Sequence, residues 1–399
     1  MDLFGNNERK PRWQFNFHGR AGAYFIICLT NVILCIITLG IYTPWAMVRS
    51  RRYIYENMEL NGARFGYHAT GLAIFLSWLF LVFVIILISF FAAVPALELV
   101  LLLAFFMVLP VLMVKSIKYN AMMTTLNNVR FNFHCSLGRA WWVMMGLPIV
   151  LYILLAVMIL GIVNIPGGDA YSIEAIITKL SLVFIIILVS IGIIAGILYA
   201  KWISLLGEGG QFGIHRFSIA VSVKQCIKVC LLSMLILIPF IAVIAWLFSD
   251  FFSAIMMVNM RGGMSEDVQL ALILEYRGQI IACYLLYFAA ILLSTGYMWM
   301  GLRNHLMNSL TLVNGAIRFH SGIVFYALVV QWVLIAVVSA ITLGLAYPLM
   351  KMRYLRFLAA NTWVDGDLDT LELTDHNEQP ETGPIAVLSR GMMPQVPFI

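Results

Sequence analysis

Eight stretches of this chain are apolar and almost free of charge over about 18 residues or more, the length a helix needs to cross a bilayer. They run approximately from Ala21 to Leu39, Gly71 to Val94, Leu97 to Val114, Trp141 to Val163, Leu180 to Ala200, Ile227 to Phe248, Ile280 to Met300 and Gly322 to Leu345. In lipid every backbone polar group needs an internal partner, so spanning segments are helices or closed barrels. The 399 residues are 62% apolar and 11% charged, against about 25% charged in soluble domains. The expectation is an all-α polytopic membrane protein of about eight transmembrane or re-entrant helices. Arg9, Lys10, Arg12 and Arg20, with no early apolar core, argue against a cleaved signal peptide.

Superposed on the apolar runs is a repeated phrase. Arg64-Phe65-Gly66-Tyr67-His68 returns as Arg130-Phe131-Asn132-Phe133-His134, as Gln211-Phe212-Gly213-Ile214-His215, and in short form as Arg318-Phe319-His320. Gln14-Phe15-Asn16-Phe17-His18 precedes the first apolar run, so five of the seven histidines sit in copies. A fixed phrase before successive runs marks a repeated supersecondary unit. Turn dipeptides stand ahead of it: Asn61-Gly62, Asn127-Asn128, Gly209-Gly210 and Asn314-Gly315. Asn-Gly between alternating apolar residues is a hairpin signal, because type I′ turns need positive φ twice. Each copy is therefore predicted to be a short β-hairpin at the cytoplasmic surface. Period two sets Phe65 and Tyr67 on one face, toward lipid or a helix end, and Arg64 and His68 on the other, toward water or phosphate.

Charge orients the segments. Basic loops carrying Arg49, Arg51, Arg52 and Arg64, then Lys115, Lys118, Arg130 and Arg139, then Lys201, Arg216, Lys224 and Lys228, then Arg303 and Arg318 belong in the cytoplasm. Asp169, Asp250, Glu266, Asp267 and Glu275 mark the opposite side, with Arg261 and Arg277 against the trend. Eight full crossings would then strand two basic ends outside. Both end segments share a break, Thr38-Leu39-Gly40 with Pro44 and Thr342-Leu343-Gly344 with Pro348. Re-entry of both would keep every copy of the phrase on one face. The basic, aromatic helix from Thr43, with Trp45 and Tyr53, suits a membrane surface. Three regions result: a basic N-terminal segment (1–20), a multi-pass membrane domain (21–360) and an acidic, largely disordered tail (361–399). From Val364 onward seven acids face one base, and the tail carries Pro380, Pro384, Pro394 and Pro397.

Several residues then look familiar. Phe17-His18-Gly19, Asn31, Thr38-Leu39-Gly40-Ile41-Tyr42-Thr43-Pro44-Trp45, Arg51-Arg52-Tyr53 and Asn57 through Gly62 resemble the YjgN family of bacterial inner-membrane proteins, a domain of unknown function. The resemblance extends to about residue 370. It implies the inner membrane and a multi-pass helical architecture, and brings no activity or catalytic residues.

Enzyme signatures are absent: there is no G-x-x-x-x-G-K, H-E-x-x-H, G-x-S-x-G or C-x-x-C. No cofactor, metal or nucleic acid is expected. The candidate interfacial or ligand-facing residues are Arg64, His68, Arg130, His134, His215, Arg318 and His320, with the bilayer and its anionic headgroups as partners. A homo-oligomer stays open. Asn31 and Gln331 are the candidate intramembrane polar residues, alongside Ser77, Ser190, Ser294 and Thr295. Helix centres almost devoid of ionisable groups disfavour ion-coupled transport. The reading is a transport-like channel or facilitator for a small solute or lipid. The alternative is a structural or interaction protein that binds headgroups or partner proteins through its Arg-Phe-x-Phe-His hairpins.

Overall fold

The computed structural model describes residues 11–91, 94–164, 173–260, 265–368, 374–375 and 378–392. Arg9, Lys10, Asp169, Arg261, Asp369, Glu372, Pro394 and Pro397 lie outside the described residues. Strand β1 (Arg12–Phe17) leads into helices α1 (Ala21–Ile37) and α2 (Thr43–Glu56), which return the chain to β2 (Met58–Leu60). The same strand–helices–strand unit follows four more times. The second comprises β3 (Ala63–Tyr67), α3 (Gly71–Phe90), α4 (Pro95–Met122) and β4 (Thr124–Leu126). The third comprises β5 (Val129–Phe133), α5 (Leu137–Trp141), α6 (Leu147–Val163), α7 (Ile173–Gly209) and β6 (Gly210–Phe212), with a π-turn at Trp142–Gly146 joining α5 to α6. The fourth is β7 (His215–Ile219), α8 (Val223–Met260), α9 (Glu266–Glu275), α10 (Arg277–Ser309) and β8 (Leu310–Leu312). The fifth is β9 (Ile317–Ser321), α11 (Phe325–Ile341), α12 (Tyr347–Ala360) and β10 (Thr362–Asp365).

The ten strands close into one antiparallel barrel, β1 sealing against β10 through Arg12↔Asp365 and Trp13↔Val364. This overturns the all-α expectation. Isolated two-stranded hairpins are marginal in water and leave edges unpaired. Here each odd strand also pairs with the even strand that ends its own helical excursion, for example Phe65↔Leu126 and Phe131↔Phe212. Those pairings span the helices in sequence, so no local turn signal announces them. Three of the four expected turn dipeptides take positive φ twice: Asn61 and Gly62 have φ of 50° and 75°, Asn127 and Asn128 50° and 64°, Asn314 and Gly315 53° and 91°, whereas Gly209 ends α7 and Gly210 opens β6.

Register corrects one copy of the phrase. Gln211 and Phe212 lie on the even strand β6, the turn is at Gly213 (φ 53°), and His215 opens β7. The equivalent of Arg64-Phe65 is Arg216-Phe217, opposite Gln211 and Leu312. Helices and tight turns occupy opposite rims. At the helix rim the repeat closes five times alike, through His18 N→Asn57 O (2.8 Å), His68 N→Met123 O (2.8 Å), His134 N→Gly209 O (2.8 Å), Ala220 N→Ser309 O (3.2 Å) and Gly322 N→Asn361 O (3.1 Å).

Among the described residues six helical stretches are long and apolar enough to cross a membrane, and α1 and α11 are shorter. At 17 residues each, they reach about 26 Å, short of a hydrocarbon core of about 30 Å. Both turn back through the same device. Leu39 and Gly40 take φ of 50° and 90°, and Leu343 and Gly344 take 50° and 87°. Thr38 Oγ1 donates to Leu34 O (2.7 Å) and accepts from Tyr42 N (3.0 Å). Thr342 Oγ1 does the same with Val338 O (2.7 Å) and Ala346 N (3.1 Å). The reversal is saturated in polar partners, which non-helical backbone at membrane depth requires, while Leu39 and Leu343 at the tips are each 93% exposed. All helical excursions thus begin and end on one barrel rim.

Helices are buried next to the barrel and bare beyond it. Helix α4 buries Leu112, Val114, Ile117 and Tyr119 but exposes Leu99, Val100, Leu103 and Phe106; α6 buries nothing. Exposed apolar surface on this scale is a lipid-facing surface. Helix α2 turns two of its arginines to protein partners: Arg51 reaches Asn120 (3.2 Å) and Arg52 donates to Tyr67 O and Ala69 O (3.3 and 3.2 Å). The described part of region 361–399 carries β10 and one short helix. Its apolar run folds as α13 (Pro384–Ser389), docked on α3 and α4 with Ala386 and Leu388 buried.

Candidate functional site

Because side chains alternate along a strand, each barrel strand sends one residue of a central layer inward. The cross-strand pairs are Phe15↔Leu60, Phe65↔Leu126, Phe131↔Phe212, Phe217↔Leu312 and Phe319↔Val364. All ten belong to one apolar cluster. The first aromatic of each copy therefore faces the lumen, not lipid. The second (Phe17, Tyr67, Phe133) packs on helix ends. Rings meet around the layer, Phe15 to Phe65 at 6.4 Å, Phe65 to Phe131 at 6.3 Å and Phe131 to Phe212 at 4.8 Å between centroids.

The lumen keeps a cavity of about 270 Å³. Leu368, just past β10, lines its tight-turn end, and Ile117, Leu206 and Leu355 line its helix end. One charged side chain reaches it. Arg303 of α10 is 4% exposed. Its Nη1 donates to Ser321 Oγ (2.8 Å) and its Nη2 to Thr362 Oγ1 (3.0 Å), so it bridges β9 and β10 at the helix rim. Its guanidinium lies over the Trp299 ring, 5.6 Å from the ring centroid. No carboxylate pairs with it among the described residues.

The sequence-derived candidates lie elsewhere. Arg64, Arg130 and Arg318 stand exposed on the outer barrel wall, as does Arg216, which the register correction adds. The histidines do not converge. Nε2 of His18 lies 2.9 Å from Glu59, that of His68 3.1 Å from Thr125 Oγ1, that of His134 3.5 Å from Glu378, and that of His320 3.2 Å from Asp365. His215 is half-buried at the start of β7. Among the described residues no group of three His, Cys, Asp or Glu could hold a metal. Asn31 and Gln331 brace the two short excursions: Asn31 Nδ2 donates to Ala46 O and Ser50 Oγ (both 3.2 Å), and Arg353 Nε donates to Gln331 Oε1 (3.0 Å).

Sequence reasoning placed Arg303 among loop charges and missed its burial. Aligning the repeats on their rim carbonyls exposes it, since the matching positions are Ile117, Ile203 and Leu355, all buried and apolar. The other exception, Arg51, is bonded to Asn120.

The tail forms the outer wall's acidic counterpart. Asp375 meets Arg130 (3.8 Å) and accepts from its backbone N (3.1 Å). Glu378 accepts from Asn132 Nδ2 (3.0 Å) and faces Lys118 and His134; Glu381 pairs with Lys115 and Lys118. The Asn132 hydrogen bond, helped by Lys118 and His134, lowers the carboxyl pKa of Glu378. The Lys115 hydrogen bond does the same for Glu381. Farther on, Ser77 Oγ donates to Leu388 O and accepts from Gly391 N (2.7 Å), which seats α13 between the helices.

The family described as "Bacterial protein of unknown function (DUF898)" matches residues 12–386. "Inner membrane protein YjgN" of Salmonella typhimurium is 46% identical over 389 residues, 96% of each chain. Proteins of the same name from Escherichia coli O157:H7 and K12 are each 39% identical, over 98% of each chain. No solved structure matches. With the apolar helices, these relatives make this a multi-pass inner-membrane protein.

Proposed function

The chain belongs to the DUF898 family, and from that premise we propose that it is a transport-like facilitator which takes a small, lipid-like solute into its barrel lumen. The observation that carries this is the apolar cavity of about 270 Å³ on the barrel axis, ringed by one phenylalanine from every repeat. A lumen filled by Phe15, Phe65, Phe131, Phe217 and Phe319 is unsuited to water or ions, and suited to a hydrocarbon that the rings can wrap. The helix end of the lumen, lined by Ile117, Leu206 and Leu355, is the end nearest the membrane helices, the side from which such a solute would come. Lys115, Lys118, Arg139, Lys201, Lys224, Lys228, Arg353 and Arg356 gather at the barrel-proximal ends of the helices, and Glu98, Asp250, Glu266 and Asp267 at the far ends. By the positive-inside rule this bias supports a cytoplasmic barrel.

The test is transfer of a fluorescent single-chain lipid from liposomes holding the full-length protein to protein-free acceptor vesicles. Transfer should exceed that from protein-free donor liposomes and fall several-fold in Phe131→Trp, which fills the lumen. No acceleration by the wild-type protein would overturn the proposal. A second reading rests on a different observation: Arg64, Arg130, Arg216 and Arg318 are exposed at equivalent points of the outer wall. Such a belt suits anionic headgroups or a partner protein. It predicts vesicle binding by the barrel that weakens with salt and with the four Arg→Gln changes.

A further inference from the structure

We infer that the lumen is a site for a single-chain amphipathic anion, its carboxylate held at Arg303 and its hydrocarbon threaded through the phenylalanine layer toward Leu368. The inference rests on the lumen reading above and names the ligand class.

The argument starts from a charge that should not be where it is. A buried ion is costly unless it is paired and hydrogen-bonded. Arg303 is 4% exposed and is the one charged residue lining a predominantly apolar cavity. A guanidinium carries five N–H donors, and two neutral hydroxyls, Ser321 Oγ and Thr362 Oγ1, take hydrogen bonds from it. Those contacts and the Trp299 face orient the group, and among the described residues no carboxylate neutralises its charge. Three of the four other repeats show that the barrel does not need a cation there. Ile117, Ile203 and Leu355 hold the position with hydrocarbon, and Arg51 turns to Asn120. Structural bracing alone would therefore be served by an apolar side chain.

Three properties then fix the ligand. Charge calls for an anion, and a carboxylate balances one guanidinium with planar, two-point geometry. The rest of the wall is mostly phenylalanine, leucine and other apolar residues, with Asn120, Thr124, Asn132, Gln211 and Thr362 the polar exceptions, which calls for hydrocarbon. About 270 Å³ lies just below the usual range of about 300–1,000 Å³ for ligand pockets, which suits one chain and excludes a two-chain lipid. Orientation follows from the placement of Arg303 at the helix rim. The head sits nearest the membrane and the chain points away from it, into the barrel.

The experiment uses the full chain in nanodiscs of zwitterionic lipid, with a diazirine-bearing medium-chain fatty acid, its alcohol and its phosphate monoester as photoprobes. Labelled residues are mapped by mass spectrometry. The fatty acid should label lumen residues such as Phe131 and Phe319 at least about tenfold more than the alcohol. Arg303→Gln, checked for an unchanged melting temperature, should bring acid and alcohol labelling level. Arg303→Lys should retain much of the preference, and it keeps the inference testable if the Gln variant does not fold. Equal labelling by acid and alcohol would overturn the anion assignment while leaving the lumen reading standing. Stronger labelling by the phosphate ester would overturn the carboxylate in favour of a phosphate head. Lumen residues left unlabelled by all three probes would sink both readings.

Discussion

Replacing Gly196 with alanine should loosen the α7–α8 contact, whereas the same change at Gly192 should be tolerated. The two glycines stand four apart on one face of α7, a small-xxx-small arrangement that lets helix backbones approach in lipid. A Cβ built on Gly196 would lie 2.5 Å from Ile227 Cα, 2.7 Å from Ile227 N and 3.0 Å from Cys226 C. Carbon atoms rest at about 3.5–4.0 Å, so the helices must part by about 1 Å. The obstructing atoms are backbone, and no rotamer change relieves them. A gap of that size forfeits about a quarter to a half of each contact along the seam, and overpacking of this kind costs about 1–3 kcal/mol. Alanine recovers about 0.5–1 kcal/mol of helix preference over glycine. The net expectation is a loss of about 1–2 kcal/mol. At Gly192 the nearest atoms are Leu231 Cδ2 at 3.0 Å and Met234 Cγ at 3.4 Å. Both are movable side-chain atoms, and the net should lie between zero and a gain of about 0.5 kcal/mol. Thermal unfolding of both variants in one detergent, followed by tryptophan fluorescence, reads the difference. At about 2 °C per kcal/mol, Gly196→Ala should melt about 2–5 °C below Gly192→Ala. Melting points within about 1 °C of each other would refute the claim that backbone proximity governs this seam.

Two further outcomes follow from the fold. Glu378 and Glu381 have lowered pKa values in the docked tail, so their contribution to docking is complete above the ordinary carboxylate value of 4.5 and is lost as pH falls through their lower bound-state values. Limited acid-active proteolysis should release the tail more readily at pH 3 than at pH 6, and Glu378→Gln with Glu381→Gln should remove that dependence; release unaffected by pH would refute it. At the two excursion tips, Thr38→Val and Thr342→Val each strip a donor to a helix carbonyl and leave Tyr42 N or Ala346 N without its acceptor. Each should cost about 1–3 kcal/mol and speed amide exchange at its own tip only; unchanged exchange at residues 40–43 or 344–347 would count against the capping role.

The membrane class, the repeat and the turned-back ends were legible because each is written locally. Apolar run length fixes the helices, Asn61-Gly62 fixes a turn, and Thr38-Leu39-Gly40 with its echo at Thr342-Leu343-Gly344 announces a reversal. Barrel closure was illegible because Phe65↔Leu126 and Phe131↔Phe212 join residues separated by whole helical excursions, and a three-residue even strand such as Thr124–Leu126 is too short to show a period. The misplaced fourth copy has the same origin: Gln211-Phe212-Gly213 mimics the phrase, but the turn at Gly213 assigns it to an even strand. Burial of Arg303 could be read only after the repeats were aligned on structure. Arginine beside a membrane helix end ordinarily belongs to the positive-inside pattern.

The seal between the first and last strands bears on how the ribosome delivers this protein. Each helical excursion can enter the membrane as it emerges, adding two strands to a growing sheet on the same side. That sheet stays open until residues 362–365 have been synthesised, since β1 has no other neighbour on that flank. Throughout translation β1 presents unpaired amides and carbonyls, the edge that invites illicit pairing. A chain stopped anywhere before Thr362 would carry its membrane helices yet never shut its cylinder. Prematurely ended products would thus be inserted but marked, by a free strand, for removal by proteases.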